Sequence, residues 1–307
     1  MNRYTTIDLG YPAEDDTKET LLAEDYATCR QIMRAASRNY TFASGFLPKS
    51  KRHHVEALYA FLRVGDDRVD VSHGGFESAL AAIEDWEESY RQAFATGYSN
   101  HPVMRAYLNT ALECNIPKET MDAYFRSMKE DLTITRFPSF EDLMRYMEGS
   151  AIPVGRAMTH ILGVRPPFTL QQALPRADSL SIAMQLSNFW RDIGQDWKIG
   201  RVYIPQEDME RFQVREEELA QGRVTANFVN LLEFQIERTE AYYAHAYPGV
   251  EMLATGRLGV MLGLYVYRAI LRDIRRRGYD VFRQRAGANF FEKFALIAIS
   301  WREVRRR

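Results

Sequence analysis

The sequence predicts an all-α fold, and three observations carry that reading. From Lys18 onward apolar residues recur at steps of three and four almost throughout, the spacing that lines one face of a helix. Period-two alternation of β-branched residues is nearly absent, so no sheet is expected. Prolines and glycines punctuate the periodic stretches at intervals that suit helix starts and stops.

Taken in order, residues 1–17 are polar with Gly10 and Pro12 and read as a loose arm before one domain over 18–307. The stretch 20–37 puts Leu21, Leu22, Tyr26, Cys29, Ile32 and Met33 on an apolar face. Gly45 and Pro48 mark a turn, and 50–70 reads as a strong helix ended by Gly74-Gly75. Another helix begins in 76–94. Pro102 and Pro117 each suit a first helical turn. Ser139 and Asp142 are spaced as a capping pair. Pro166-Pro167 breaks the chain before a central helix, and 225–247, 257–277 and 288–305 complete the set. No internal repeat or low-complexity linker interrupts them.

At 307 residues the chain can bury a substantial core, and 46% hydrophobic with 26% charged residues describes an ordinary globular protein. A formal net charge of −1 argues against a nucleic-acid partner, which calls for a basic surplus. The two cysteines, Cys29 and Cys114, have no metal-binding or redox spacing, so a reduced, cytoplasmic protein with buried thiols is expected. The N-terminus lacks the basic-then-apolar pattern of a signal peptide, and no apolar run approaches the roughly 20 residues of a membrane span. The protein is expected to be soluble, or at most peripheral to a membrane.

The chemistry concentrates in SIAMQLSNFWRDIGQDWKIGRVYIP (181–205). On a helix, Gln185, Asn188, Asp192 and Asp196 share one polar stripe, while Ile182, Met184, Leu186, Phe189, Trp190 and Ile193 pack against the protein. Carboxylates one turn apart repel unless something positive lies between them. Mg²⁺ is the usual answer, because it takes oxygen ligands and shares carboxylates with substrate phosphates. A solvated face paired with Arg191 and Lys198 is the alternative. ALYAFLRVGDDRVD (57–70) repeats the pattern with Arg63, Asp66, Asp67 and Asp70, and an exposed helix end is its alternative. Facing each other, two such helices would form an acidic cavity able to hold a diphosphate through Mg²⁺. Aromatic walls would suit a hydrocarbon tail and an allylic cation.

RVGDDRVD resembles the first aspartate-rich motif of the squalene/phytoene synthase family, and NFWRDIGQDWKIGRVYIP resembles the second. SRNYTFASGFLPKSKR (37–52), YMEGSAIPVGR (146–156) and YRAILRDIRRRGYDVF (267–282) extend the resemblance in the right order over roughly 20–290. It implies a single-domain isoprenoid-synthase helical bundle with a central cavity. It also implies Mg²⁺-dependent head-to-head joining of two prenyl diphosphates through a cyclopropyl diphosphate.

The resemblance assigns Asp66, Asp67, Asp70, Asn188, Asp192 and Asp196 to the metal sites. Arg63 matches an arginine on diphosphate oxygens, where a bidentate guanidinium is suited. Tyr146 matches a tyrosine facing the reacting carbons, and Tyr267 a late tyrosine near the diphosphate. Gln185, Arg201 and Tyr203 fall on substrate-binding positions, and Ser37 and Arg38 open the segment carrying further phosphate contacts. Tyr146 and Tyr267 could instead be core tyrosines, and Arg201 a helix C-terminal cap.

Two departures point to the bacterial squalene- and hydroxysqualene-forming branch, acting on farnesyl or presqualene diphosphate. Pro153 stands where many phytoene synthases have glycine and is expected to break or kink its helix. Phe189-Trp190 replaces smaller residues and is expected to shorten the tail pocket. Phytoene synthesis from geranylgeranyl diphosphate is the runner-up. A non-catalytic assembly protein would be expected to have lost motif aspartates, yet Asp66, Asp70, Asp192 and Asp196 all stand. GRVYIP after the second acids speaks against a terpene cyclase. NADPH stays open without a sign for it, since no Gly-rich fingerprint is present. The clusters Arg275–Arg277 and Arg305–Arg307 are solvated faces or contacts to anionic lipid, and downstream isoprenoid-pathway enzymes are conceivable partners.

Overall fold

A computed structural model describes residues 15–70 and 75–306, with the side chains of 15–19, 38, 39, 70, 290 and 291 excepted. Residues 1–14 of the expected arm, Gly74 and Arg307 lie outside the described residues. Asp15–Thr17, expected in the arm, instead open α1 (Asp15–Ala36). Among the described residues there is no strand, only an isolated bridge between Arg136 and Val202.

The chain divides into two compact units. The first holds residues to Leu132 with Arg156–Val164 and Ala254–Gly256. It contains α1, α2 (Arg38–Ser44), α3 (Lys49–Asp70), α4 (Ala79–Thr96), α5 (Pro102–Glu113) and α6 (Thr120–Glu130). Tyr26, Cys29 and Met33 are buried on the expected face of α1. Phe61 stacks on Tyr107 at 4.1 Å and meets Trp86, Tyr90 and Phe125 edge-on or tilted, so the core around α3 is aromatic. Pro102 occupies the first turn of α5, where its missing N–H costs nothing. Asp25 of α1 accepts two bonds from Arg105 of α5 at 2.7 and 2.8 Å, a buried pair clamping these helices.

The second unit holds Thr133–Gly155, Arg165–Leu253 and Arg257–Arg307. Its helices are α7 (Phe140–Ser150), α9 (Leu170–Lys198), α10 (Gln206–Arg211), α11 (Glu216–Ala220), α12 (Ala226–Ala246), α13 (Gly249–Met252), α14 (Arg257–Arg276) and α15 (Phe290–Arg306). The expected Ser139/Asp142 capping box opens α7. α9 is the longest helix described and lies against α12. Trp190 donates its indole N–H to Thr239 at 2.8 Å, and the Ser187 and Tyr243 hydroxyls meet at 2.8 Å.

At Pro153 the helix is broken and not kinked. α7 has already ended at Ser150, and Pro153 sits in the first turn of α8 (Ile152–Leu162), where the proline ring is pre-shaped for helix and no internal hydrogen bond is lost.

Candidate functional site

On α3 of the first unit, Arg63 is one turn before Asp67 and forms an ion pair with it. Burial would lower the Arg63 guanidinium, but the bond to Asp67 and the charges of Asp67 and Asp66 outweigh it and raise its pKa. Asp66 is half-buried, and Asp67 keeps 46% of its side chain exposed. Asp70 is the last residue of the helix, its side chain outside the described set. Beneath these acids Tyr124 of α6 donates its hydroxyl to the Leu62 carbonyl at 3.1 Å. Burial and then the charge of Asp66 push its phenol well above the usual range. A Cβ at Gly65 would fall 2.1 Å from that hydroxyl oxygen, so RVGDD has glycine where the tyrosine ring lies on the helix.

On α9 of the second unit, Gln185, Asn188, Asp192 and Asp196 are all half-buried, flanked by buried Leu186, Phe189, Trp190 and Ile193. The stripe is real, and it is not a solvated one. Asp192 accepts from Arg191 and, bidentately at 2.8 and 2.9 Å, from Arg285. Burial would raise this carboxyl, but the two guanidinium groups hold it below its ordinary value. Asp196 behaves oppositely. Burial and the neighbouring Asp192 push it up to about 7, against the pull of Arg201, Arg191 and Arg285.

The chain beyond α9 serves the site twice. Gly200 adopts φ +79°, its N–H bonds the Trp197 carbonyl, and the Arg201 N–H bonds the Asp196 carbonyl at 2.9 Å. That is a Schellman ending, so the capping role of Arg201 holds for its backbone. Its side chain, meanwhile, points its guanidinium at the Tyr203 hydroxyl at 3.5 Å. Tyr203 stacks on Phe189 with ring centres 4.0 Å apart, and on Phe137 at 5.6 Å. Tyr146 of α7 completes this aromatic layer, 5.9 Å from Tyr203 and 6.4 Å from Phe189. Phe189, Asp196, Arg201 and Tyr203 line one small pocket, so an acid, a cation and stacked rings meet there.

Of the two adjacent aromatics expected to shorten a tail pocket, only Phe189 lines the small pocket beside Asp196. Trp190 points the other way, fully buried against α12, because successive helical residues diverge by about 100°. Tyr267 of α14 is half-buried and within electrostatic reach of Arg285. In the first unit, Ser37 caps α2 by accepting the Tyr40 N–H at 3.2 Å, and Arg38 opens that helix with its side chain outside the described set.

Arg285 is not singled out by the sequence motifs, which end at Phe282. Its position follows from packing. Gly194 on α9 lets the backbone at Val281-Phe282 approach so closely that a Cβ would meet Phe282 Cα at 3.0 Å. The buried Asp273 then holds the following loop by accepting the Gly287 N–H at 2.9 Å. A glycine on the apolar side of the second motif was the available signal.

The fold and the two acid-bearing helices define an isoprenoid-synthase-type helical protein. The chain belongs to the squalene/phytoene synthase family, whose pattern it matches over residues 33–292. It is 28% identical over 302 residues to a 15-cis-phytoene synthase of Synechococcus elongatus, covering 94% of this chain and 96% of that one. A dehydrosqualene synthase crystal structure superposes with TM-score 0.85 at 24% identity, covering 94% of this chain and 99% of that one. Squalene synthase HpnC from Alicyclobacillus acidocaldarius follows at TM-score 0.77 and 29% identity, covering 85% and 97%.

Proposed function

We propose that this chain is a Mg²⁺-dependent head-to-head prenyltransferase that joins two prenyl diphosphates with loss of diphosphate. The observation that carries the reading is the α9 acid pair with three arginines around it and an aromatic layer alongside. The donor set fits a hard divalent cation. Asp192 and Asp196 offer oxygens one turn apart, and Asp196, pushed up to about 7, is only partly ionised at neutral pH, so a cation beside it would favour its charged form. Asn188 shares their face, and Asp66, Asp67 and Asp70 are the corresponding donors on α3. Bound Mg²⁺ supplies charge that offsets the diphosphate as it leaves.

The remaining work falls to the protein's own groups. Arg63, Arg191 and Arg285 exchange their carboxylate partners for diphosphate oxygens, for which a planar guanidinium is suited. Phe189, Tyr203 and Tyr146 present ring faces that attract an allylic cation while excluding water. Gln185 of the same stripe and Tyr267, within electrostatic reach of Arg285, serve as substrate contacts, and Ser37 and Arg38 contribute phosphate contacts at the start of α2.

For chain length, Phe189 in the pocket favours the fifteen-carbon substrate and a squalene- or hydroxysqualene-type product. The second reading is phytoene synthesis from the twenty-carbon substrate, favoured by the name of the Synechococcus relative. Incubation with farnesyl or geranylgeranyl diphosphate and Mg²⁺, with and without NADPH, followed by mass analysis of lipid and diphosphate fractions, separates them. Presqualene diphosphate as a third substrate reveals an enzyme of the second half-reaction alone. Turnover of geranylgeranyl diphosphate only would overturn the fifteen-carbon reading.

No helix among the described residues is long and apolar enough to cross a membrane. Of the two basic clusters, Arg275 pairs with Glu233, while Arg276 and Arg277 pair with Asp273. The outer face of α15 differs. Phe294, Ile299 and Trp301 are exposed, followed by exposed Arg302, Arg305 and Arg306. Apolar rings bordered by cations suit an anionic bilayer surface, and we propose peripheral contact there. Co-sedimentation with phosphatidylglycerol vesicles at low salt, lost in Trp301→Ser, is the expected result; no binding at low salt ends the proposal.

A further inference from the structure

The strongest unassigned cluster lies in the first unit, where α1, α3 and α5 meet. His53 and His54 of α3 and Glu113 of α5 each offer one ligand atom, and these atoms lie within 4.8 Å of one another. His54 Nε2 and Glu113 Oε2 are 3.3 Å apart. In a tetrahedral Zn²⁺ site with bonds of about 2.0–2.1 Å, neighbouring ligand atoms stand about 3.3 Å apart, so two of the three already have that spacing.

Each ligand is also held from behind. His54 Nδ1 meets Thr110 Oγ1 at 3.0 Å, in a buried network where Asn109 donates to the Tyr26 hydroxyl. Asn109 also donates to Glu113 at 2.8 Å, and the His53 ring bonds the Lys49 carbonyl. Metal-ligating histidines characteristically have their second nitrogen engaged in this way, which fixes ring orientation and tautomer. Burial and its neighbour His54 lower His53, and the His54 hydrogen bond holds Glu113 down to about 2 against the opposing effect of burial. The ammonium of Lys51 also acts on His53 in the sense that opposes a metal.

We propose that His53, His54 and Glu113 form a binding site for a divalent transition metal, Zn²⁺ in the first instance, with a fourth position open to water. His53 is the ligand that must swing inward, and it is only half-buried. Thirteen residues separate His53 from Asp66 on the same helix, about 20 Å at 1.5 Å per residue. The site is therefore distinct from the acid motif and is selected by imidazole nitrogen, which Zn²⁺ accepts and Mg²⁺ does not favour. A metal there would tie α5 to α3, the helix that carries the first acids.

The test uses the full chain, stripped of metal and supplied with excess Mg²⁺ to fill oxygen-only sites. Zn²⁺ uptake is measured by equilibrium dialysis, and Co²⁺ substitution by visible absorption, where four-coordinate nitrogen-ligated Co²⁺ is intense and octahedral all-oxygen Co²⁺ is faint. One equivalent of Zn²⁺ and an intense Co²⁺ band are expected. His53→Gln and Glu113→Gln, both at positions open to solvent, should each weaken uptake by about tenfold or more. Uptake that Mg²⁺ abolishes, uptake unchanged in both variants, or a faint Co²⁺ spectrum from the unaltered protein overturns the proposal. The last readout needs no variant to fold.

Discussion

On α3 the acids draw their counter-ion from their own helix, Arg63 one turn before Asp67, and both side chains of that pair remain more than a third exposed. On α9 the exposure of Asp192 falls to 15%, and one of its two arginines comes from 93 residues further along the chain. A counter-ion one turn away is in place whenever the helix forms. One supplied by a distant loop exists only when the loop is folded against α9. The consequence is visible in the charges: Asp192 is held down by two guanidinium groups while Asp196 rises to about 7. The α9 site is thus charge-strained and dependent on tertiary packing, and the α3 site depends on the shape of what lies beneath it, Gly65 on Tyr124.

The largest test of that contrast is Asp192→Asn. It removes the negative charge and one of the two acceptor oxygens shared by Arg191 and Arg285, and turnover should fall by about 10²–10³, with chelation of Mg²⁺ having at least as large an effect. Asp67→Asn, at a locally paired and more exposed position, should cost about tenfold or less. Initial rates of diphosphate release measure both, and equal losses would break the contrast. Gly194→Ala comes next. Its new methyl meets backbone at Phe282, so the loop must move, at about 1–3 kcal/mol of stability. Activity should fall with it, and Arg285→Ala should add little to Gly194→Ala, since both act through one ion pair. Full additivity in such a cycle would separate the loop from the acid.

How much of this was legible in the sequence depends on the range of the physics involved. The long helices and their caps follow from periodicity and from local signals such as Ser139 with Asp142, which is why they hold. The short helices α2, α10, α11 and α13 carry too few turns to show a period. The stripe Gln185–Asn188–Asp192–Asp196 was readable because one helix sets it. Arg285 was not, because only the fit of the 281–282 backbone over Gly194 brings it there. Phe189 and Trp190 look alike in sequence, and only Thr239 on another helix determines that the tryptophan belongs to the core. Pro153 announces the break between α7 and α8, but not where it falls, because Gly149, the nearer stop signal, lies inside α7 and the chain turns only at Ala151.

The smallest expected effects concern the support under the α3 acids. Gly65→Ala places a methyl on the Tyr124 hydroxyl oxygen and should cost about 1–3 kcal/mol. Tyr124→Phe in the same chain should return part of that, because the closest clashing atom is gone while the ring carbon at 3.2 Å stays. Tyr124→Phe alone loses one buried hydrogen bond to the Leu62 carbonyl, about 1 kcal/mol. In a chain of this size that lowers Tm by about 1–2 °C. The carbonyl is within α3, so the loss loosens the turn before Asp66 without touching a carboxylate. Mg²⁺ dependence should therefore be unchanged in Tyr124→Phe while thermal melting moves. A shifted Mg²⁺ requirement at unchanged Tm would instead make the Tyr124 hydroxyl part of the acid site.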